Sequence, residues 1–122
     1  MRENKLRTLW AQNNPAINGW LAVPNGFSAE VMGHQGWDTL TIDMQHGLID
    51  EGALLTMLQA LQSTPAMPVV RAPWLDPAPL MKILDAGAQA LICPMVNTRE
   101  DAQRLVAYTH YAPRGGRSFG PV

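Results

Sequence analysis

Residues 37–47 read W-D-T-L-T-I-D-M-Q-H-G. The apolar run at 37–42 has the pattern of a buried strand. Within the next four positions the chain places a carboxylate, an amide and an imidazole, at Asp43, Gln45 and His46. Polar side chains crowded just past a core strand are either a solvated turn that happens to hold a histidine or one edge of a site. What the chain does at its other strand ends decides between them.

Outward from that stretch, short apolar runs alternate with helical patterns. On the N-terminal side, Leu6, Leu9 and Trp10 at helical spacing predict an amphipathic helix over 3–13, ended by Asn13-Asn14-Pro15. Residues 17–23 read as a strand stopped by Pro24-Asn25-Gly26, and Ser28 is the expected N-cap of a helix over 29–34 that closes at Gly36. On the C-terminal side, Asp50 and Glu51 suit the first turn of a helix carrying Leu54, Leu55, Leu58 and Leu61, which Ser63-Thr64-Pro65 ends. Residues 67–72 are the third strand, broken by Pro73. Asp76 caps a helix with Pro77 near its first turn and Leu80, Met81 and Leu84 on one face, ending at Gly87. Residues 88–93 are the fourth strand, stopped by Pro94. Thr98 with Asp101 resembles a capping box and opens a helix to about residue 108; residues 111–122 form a Gly/Pro-rich loop.

This β-α-β-α-β-α-β-α order with short connections predicts a parallel sheet with right-handed crossovers, its strands in chain order and its helices on one side. Special residues follow each strand: Pro24-Asn25, Asp43-Gln45-His46, Arg71-Pro73-Trp74 and Pro94-Met95. In α/β folds that edge is where ligands bind, which favours the site reading of His46. Four βα units are half of a (β/α)8 barrel, a fold of about 250 residues. The pattern therefore fits either a small open α/β domain or a piece of a barrel.

Composition narrows the class. Apolar residues make 47% and charged residues 16%, a globular rather than a disordered balance. A net charge of −1, with the basic residues scattered, argues against nucleic acid or an anionic membrane as a partner. The lone Cys93 forms no internal disulfide, so a reducing cytoplasm is the expected compartment. The N-terminal stretch carries charges without an apolar run behind them, so no signal peptide is read, and no apolar stretch approaches a membrane span.

Several residues offer chemistry. A histidine at position 46 titrates near neutrality and can act as a general base if a carboxylate holds its other nitrogen; Asp43 and Asp85 are the candidates. Arg71, at the end of the third strand, can grip a carboxylate or stabilise an enolate, or can instead pair with a helix-capping carboxylate. Asp85 precedes Gly87, and by periodicity alone it is a helix-end carboxylate on the face opposite the site. The run P-R-G-G-R-S-F-G, residues 113–120, offers arginines and glycines to an anion but lacks the P-loop Lys-Ser/Thr, so a flexible surface loop is the alternative. The tryptophans at 10, 20, 37 and 74 and most methionines read as packing residues, and His34 and His110 as solvated. Neither HExxH nor CxxC occurs.

The runs W-D-T-L-T-I-D-M-Q-H-G, P-V-V-R-A-P-W, L-D-A-G-A-Q-A-L-I-C-P-M-V and P-R-G-G-R-S-F-G, in this order, resemble the HpcH/HpaI aldolase family. These are metal-dependent class II pyruvate aldolases, among them 4-hydroxy-2-oxoheptanedioate and 2-dehydro-3-deoxyglucarate aldolases. The resemblance covers essentially the whole chain and matches the first half of the family's chain. It implies a (β/α)8 TIM barrel that assembles as a hexamer, with residues 1–122 as the N-terminal half of its single aldolase domain. The implied activity is cleavage of a 4-hydroxy-2-oxo acid to pyruvate and an aldehyde. Under the resemblance His46 is the base, Arg71 stabilises the transition state and contacts the pyruvate portion, and Asp85 raises the basicity of the histidine, with Asp43 the local alternative. The divalent cation (Mg²⁺, Mn²⁺ or Co²⁺) would be held by a Glu and an Asp beyond Val122, leaving no metal ligand in this chain. Gln45 stands where the family commonly has Glu, which removes a negative charge beside the metal region and bears on the substrate subclass. The alternatives are a macrophomate-synthase-like oxaloacetate decarboxylase and a truncated, non-catalytic barrel fragment; the fragment alone is expected to be inactive.

Overall fold

The computed structural model describes residues 3–120; Met1, Arg2, Pro121 and Val122, the outer ends of the charged N-terminal stretch and of the Gly/Pro-rich tail, lie outside the described residues. The elements run α1 (Lys5–Ala11), β1 (Asn18–Leu21), α2 (Gly26–Gly33), β2 (Thr39–Asp43), α3 (Glu51–Leu61), β3 (Met67–Arg71), α4 (Pro77–Asp85), β4 (Ala90–Ile92) and α5 (Arg99–Thr109). The four strands pair in parallel in the order β1-β2-β3-β4. Trp20 lies beside Thr41, and Asp43 beside Arg71, so the ends of β2 and β3 are level.

Polar caps start the helices. Asp50, Asp76 and Thr98 each accept a backbone N–H from the first turn, and Thr98 with Asp101 forms the full reciprocal capping box. Ser28 is not the cap of α2. Asn25, extended and just past Pro24, caps it instead and accepts the N–H of Ser28, so the helix opens at Gly26. Asn serves as well as Ser at an N-cap, and the earlier of the two candidates won.

Alternation along the strands sorts the side chains into two layers. Leu40, Ile42 and Val70 face α2, α3 and α4, where Met57, Leu58, Leu61, Leu80 and Ile83 complete one buried core. Burying each such side chain contributes about 1.5–3 kcal/mol. The opposite face carries Thr39 and Thr41, whose hydroxyls both donate to Asn18 Oδ1 at 2.7 and 3.0 Å. The expectation of helices on one side holds for α2 to α5 but not for α1. Leu6 packs with Met67 and Val69 on the second face. Asn4 and Lys5 tie α1 to Gln89 and Asp38, just ahead of β4 and β2, so it closes the N-terminal end of the strands.

The tryptophans depart most from their expected packing role. Trp10, Trp20 and Trp74 are each at least 45% exposed, and only Trp37 packs partly against the core.

Candidate active site

At the C-terminal ends of β1, β2 and β3, one carboxylate gathers five donors. Asp43 Oδ1 accepts from the backbone N–H of Gln45 (3.0 Å), the backbone N–H of His46 (3.2 Å) and Arg71 Nε (2.8 Å). Its Oδ2 accepts from Trp20 Nε1 (3.1 Å) and Arg71 Nη2 (2.5 Å). The strand register produces this directly, since Asp43 and Arg71 are partners across β2 and β3 and point to the same face. A carboxylate has about four lone-pair sites. Asp43 is therefore saturated, and it is only 3% exposed. The fork of Arg71, joined by the indole and amide donors, holds the Asp43 carboxyl far below the usual carboxylate range. The same pair pushes the Arg71 guanidinium up from its ordinary value. Trp20 contributes twice, because Arg71 Cζ also lies 5.0 Å from the centre of its ring. Arg71 presents Nη1 without a partner among the described residues.

His46 lies in the turn that follows β2, exposed, and its ring takes no hydrogen bond among the described residues. What fixes the turn is the backbone: Asp43 holds two of its amides, and Leu48 N–H donates to the Ala22 carbonyl at 3.2 Å. Gly47 permits the close approach, since a Cβ there would lie 2.3 Å from the Asp43 carbonyl oxygen. Gln45 enters through its backbone N–H alone. Neither candidate carboxylate holds the imidazole within the chain. Asp43 binds the backbone of His46 rather than its ring, and its remaining capacity is taken by Arg71 and Trp20.

Asp85, the last residue of α4, accepts from Arg117 Nη2 at 2.5 Å. Arg117 also lies over the Tyr111 ring, 4.6 Å from its centre. The run 113–120 thus has an ordered anchor in place of an open anion loop: Gly116 N–H donates to the Ala107 carbonyl at 2.8 Å and Arg117 N–H to the His110 carbonyl at 3.0 Å. The sequence does not reveal the polar role of Trp20 or the partner of Arg117. Its place next to the last residue of a strand adjoining β2 was the available signal for Trp20; nothing in the spacing pointed to Asp85 as the anion that Arg117 meets.

Among the described residues no group of three or more His, Cys, Asp or Glu could hold a metal ion. With Asp43 saturated, the residues present do not by themselves fit one.

A parallel βα array with polar side chains gathered at the C-terminal strand ends has the arrangement of an α/β-class site, open or barrel. The sequence comparison makes the assignment specific: the chain belongs to the HpcH/HpaI aldolase/citrate lyase family, whose model matches residues 17–120. It is 49% identical over 118 residues to a hydroxypyruvate/pyruvate aldolase of Rhizorhabdus wittichii, covering 97% of this chain and 47% of that protein. It is 40% identical to a 4-hydroxy-2-oxo-heptane-1,7-dioate aldolase of Salmonella dublin, covering 97% of this chain and 45% of that one. The chain spans about half the length of these curated relatives. The crystal structure of an HpcH/HpaI aldolase/citrate lyase family protein from Burkholderia cenocepacia superposes with a TM-score of 0.91 at 32% identity, covering 97% of this chain and 49% of that chain. The fold is accordingly that of four βα units of a (β/α)8 barrel.

Proposed function

We propose that residues 1–122 form the N-terminal half of one (β/α)8 domain, and that the protein carrying them is a carbon–carbon lyase acting on 2-oxo acids. The observation that carries this reading is the Arg71 fork, fixed by Asp43 and Trp20 at the strand ends, with Nη1 uncommitted. A guanidinium held rigidly in that pose suits a charge that develops on a 2-oxo oxygen. His46, exposed and with an unengaged ring, suits the proton transfer. In cleavage of a 4-hydroxy-2-oxo acid, the base removes the hydroxyl proton at C4 and the C3–C4 bond breaks. The aldehyde departs, its former bonding pair becomes the enolate beside Arg71, and a proton delivered to C3 gives pyruvate.

Asp85 is assigned to support His46. The two do not meet within this chain, so the contact would cross between subunits, which agrees with a cytoplasmic oligomer such as a hexamer. A divalent cation, Mg²⁺, Mn²⁺ or Co²⁺, is assigned to residues outside this chain. The relative that acts on hydroxypyruvate or pyruvate makes both of these donors candidates.

The test is release of pyruvate or hydroxypyruvate from 4-hydroxy-2-oxo acids by the protein at its full natural length, with and without Mn²⁺, beside CO₂ release from oxaloacetate. His46→Ala is expected to lower kcat by about 10²–10⁴. Near-normal turnover in that variant would return His46 to the status of a solvated turn residue. Faster CO₂ release than aldol cleavage would make decarboxylation the main reaction.

A further inference from the structure

The Asp43 carboxylate is a plane, and a plane needs both oxygens fixed. Oδ1 is fixed by two backbone amides, those of Gln45 and His46, which belong to its own turn. Apart from Arg71, Oδ2 is held by one donor, the indole N–H of Trp20 at 3.1 Å. Bidentate pairing then transmits the tilt of that plane to the guanidinium, whose Nη1 has no partner among the described residues. Trp20 supports the guanidinium from a second direction, its ring centre lying 5.0 Å from Arg71 Cζ. Trp20 is level with Thr41 in the register, which puts its indole on the face that carries Asp43 and Arg71.

We propose that Trp20 is a positioning residue for Arg71: its indole donor sets the tilt of Asp43, its ring backs the guanidinium, and together they aim the free edge of Arg71 at the bound 2-oxo acid. This deepens the proposed function and rests on its reading that Arg71 contacts the substrate. The chemistry also defines what each substitution removes. Trp20→Phe keeps a ring behind the guanidinium and deletes the donor to Oδ2. Trp20→Leu deletes both.

The experiment is a double-mutant cycle in the protein at its full natural length, with pyruvate dissociation constants and kcat/KM measured for wild type, Trp20→Phe, Trp20→Leu, Arg71→Lys and the two combinations. The expected result is weaker pyruvate binding, by about tenfold for Trp20→Phe and more for Trp20→Leu, the loss of roughly one charge-assisted contact. In the Arg71→Lys background the same Trp20 substitutions should add almost nothing, because their effect passes through a fork that lysine lacks. A purely structural tryptophan predicts the opposite, additive losses in both backgrounds, and that result overturns the proposal. Unchanged pyruvate affinity in Trp20→Phe and Trp20→Leu, with Arg71→Lys impaired, overturns it while leaving the role of Arg71 intact. Full affinity and turnover in Arg71→Lys overturns the arginine reading and the positioning proposal together. A further measurement needs no variant: in wild type the Trp20 indole N–H and the Arg71 Nε–H should both exchange slowly with solvent by ¹⁵N-resolved NMR. An indole proton exchanging at the free rate overturns the proposal.

Discussion

Gly47→Ala tests how tightly the His46 turn is built. A Cβ at this position would lie 2.3 Å from the Asp43 carbonyl oxygen and 3.2 Å from both the Cα and the carbonyl oxygen of Ala22. Non-bonded contact needs about 3.5 Å, so the deficit at Asp43 is about 1 Å. All three obstructing atoms are backbone, at the end of β2 and just after β1, and no side-chain rotation relieves the overlap. The turn must therefore move outward by about 1 Å, and overpacking of this kind costs about 1–3 kcal/mol. His46 moves with it, and a misplacement of about 1 Å is worth about 10²-fold in rate. Urea denaturation and steady-state turnover of the full-length protein measure the two effects separately. Gly116→Ala is the control, since a Cβ there meets nothing within 4 Å. A Gly47→Ala protein with wild-type midpoint and wild-type kcat would refute both the packing argument and the role assigned to the turn.

The Asp43 carboxyl is depressed, so its stabilisation is complete above the unfolded value of about 3.9 and is lost as pH falls from there toward the folded value. The urea-midpoint gap between wild type and Asp43→Asn should accordingly stay constant above about pH 5 and narrow below about pH 4, and a gap unchanged at lower pH would contradict the assigned partners. Arg117→Ala should speed exchange of the backbone amides at positions 116 and 117, which bond back to Ala107 and His110, and unchanged protection would mean that Asp85 does not anchor the segment. Residues 1–122 expressed alone should self-associate, because the β1 and β4 edges and the exposed Trp10, Ile17 and Trp20 are left uncovered; a monodisperse monomer in sedimentation velocity would contradict this.

The fold was legible because the strands and helices announce themselves locally. Leu54, Leu58 and Leu61 keep helical spacing and are all buried in α3, and Pro73 and Pro94 follow closely on β3 and β4. The placement of α1 was not legible, since Leu6, Leu9 and Trp10 give a helix but not the side of the sheet it meets. The site was half legible. Position after a strand picked out Asp43, His46 and Arg71, but residue spacing carries no information on which oxygen meets which donor. Trp20 shows why: its indole reaches Asp43 across 23 positions of sequence. A tryptophan in a strand reads as core because burial is its commonest fate, and only the register against β2 reveals a polar partner.

Asp43 is the local alternative to Asp85 as the partner of His46 because the two are three residues apart. That proximity has a different physical outcome. A carboxylate at the end of a strand meets the amides of its own turn before it meets a ring on that turn, and here it holds the N–H groups of Gln45 and His46. The same oxygens then receive the fork of Arg71 from β3 and the indole from β1. The backbone that carries the imidazole and the guanidinium thus share one anchor, although their side chains make no contact through it. A change that tilts Asp43 disturbs both, which is why Gly47→Ala should reach activity without removing a contact of either proposed catalytic side chain, and why Trp20 substitutions should act through Asp43 as well as through the ring behind Arg71.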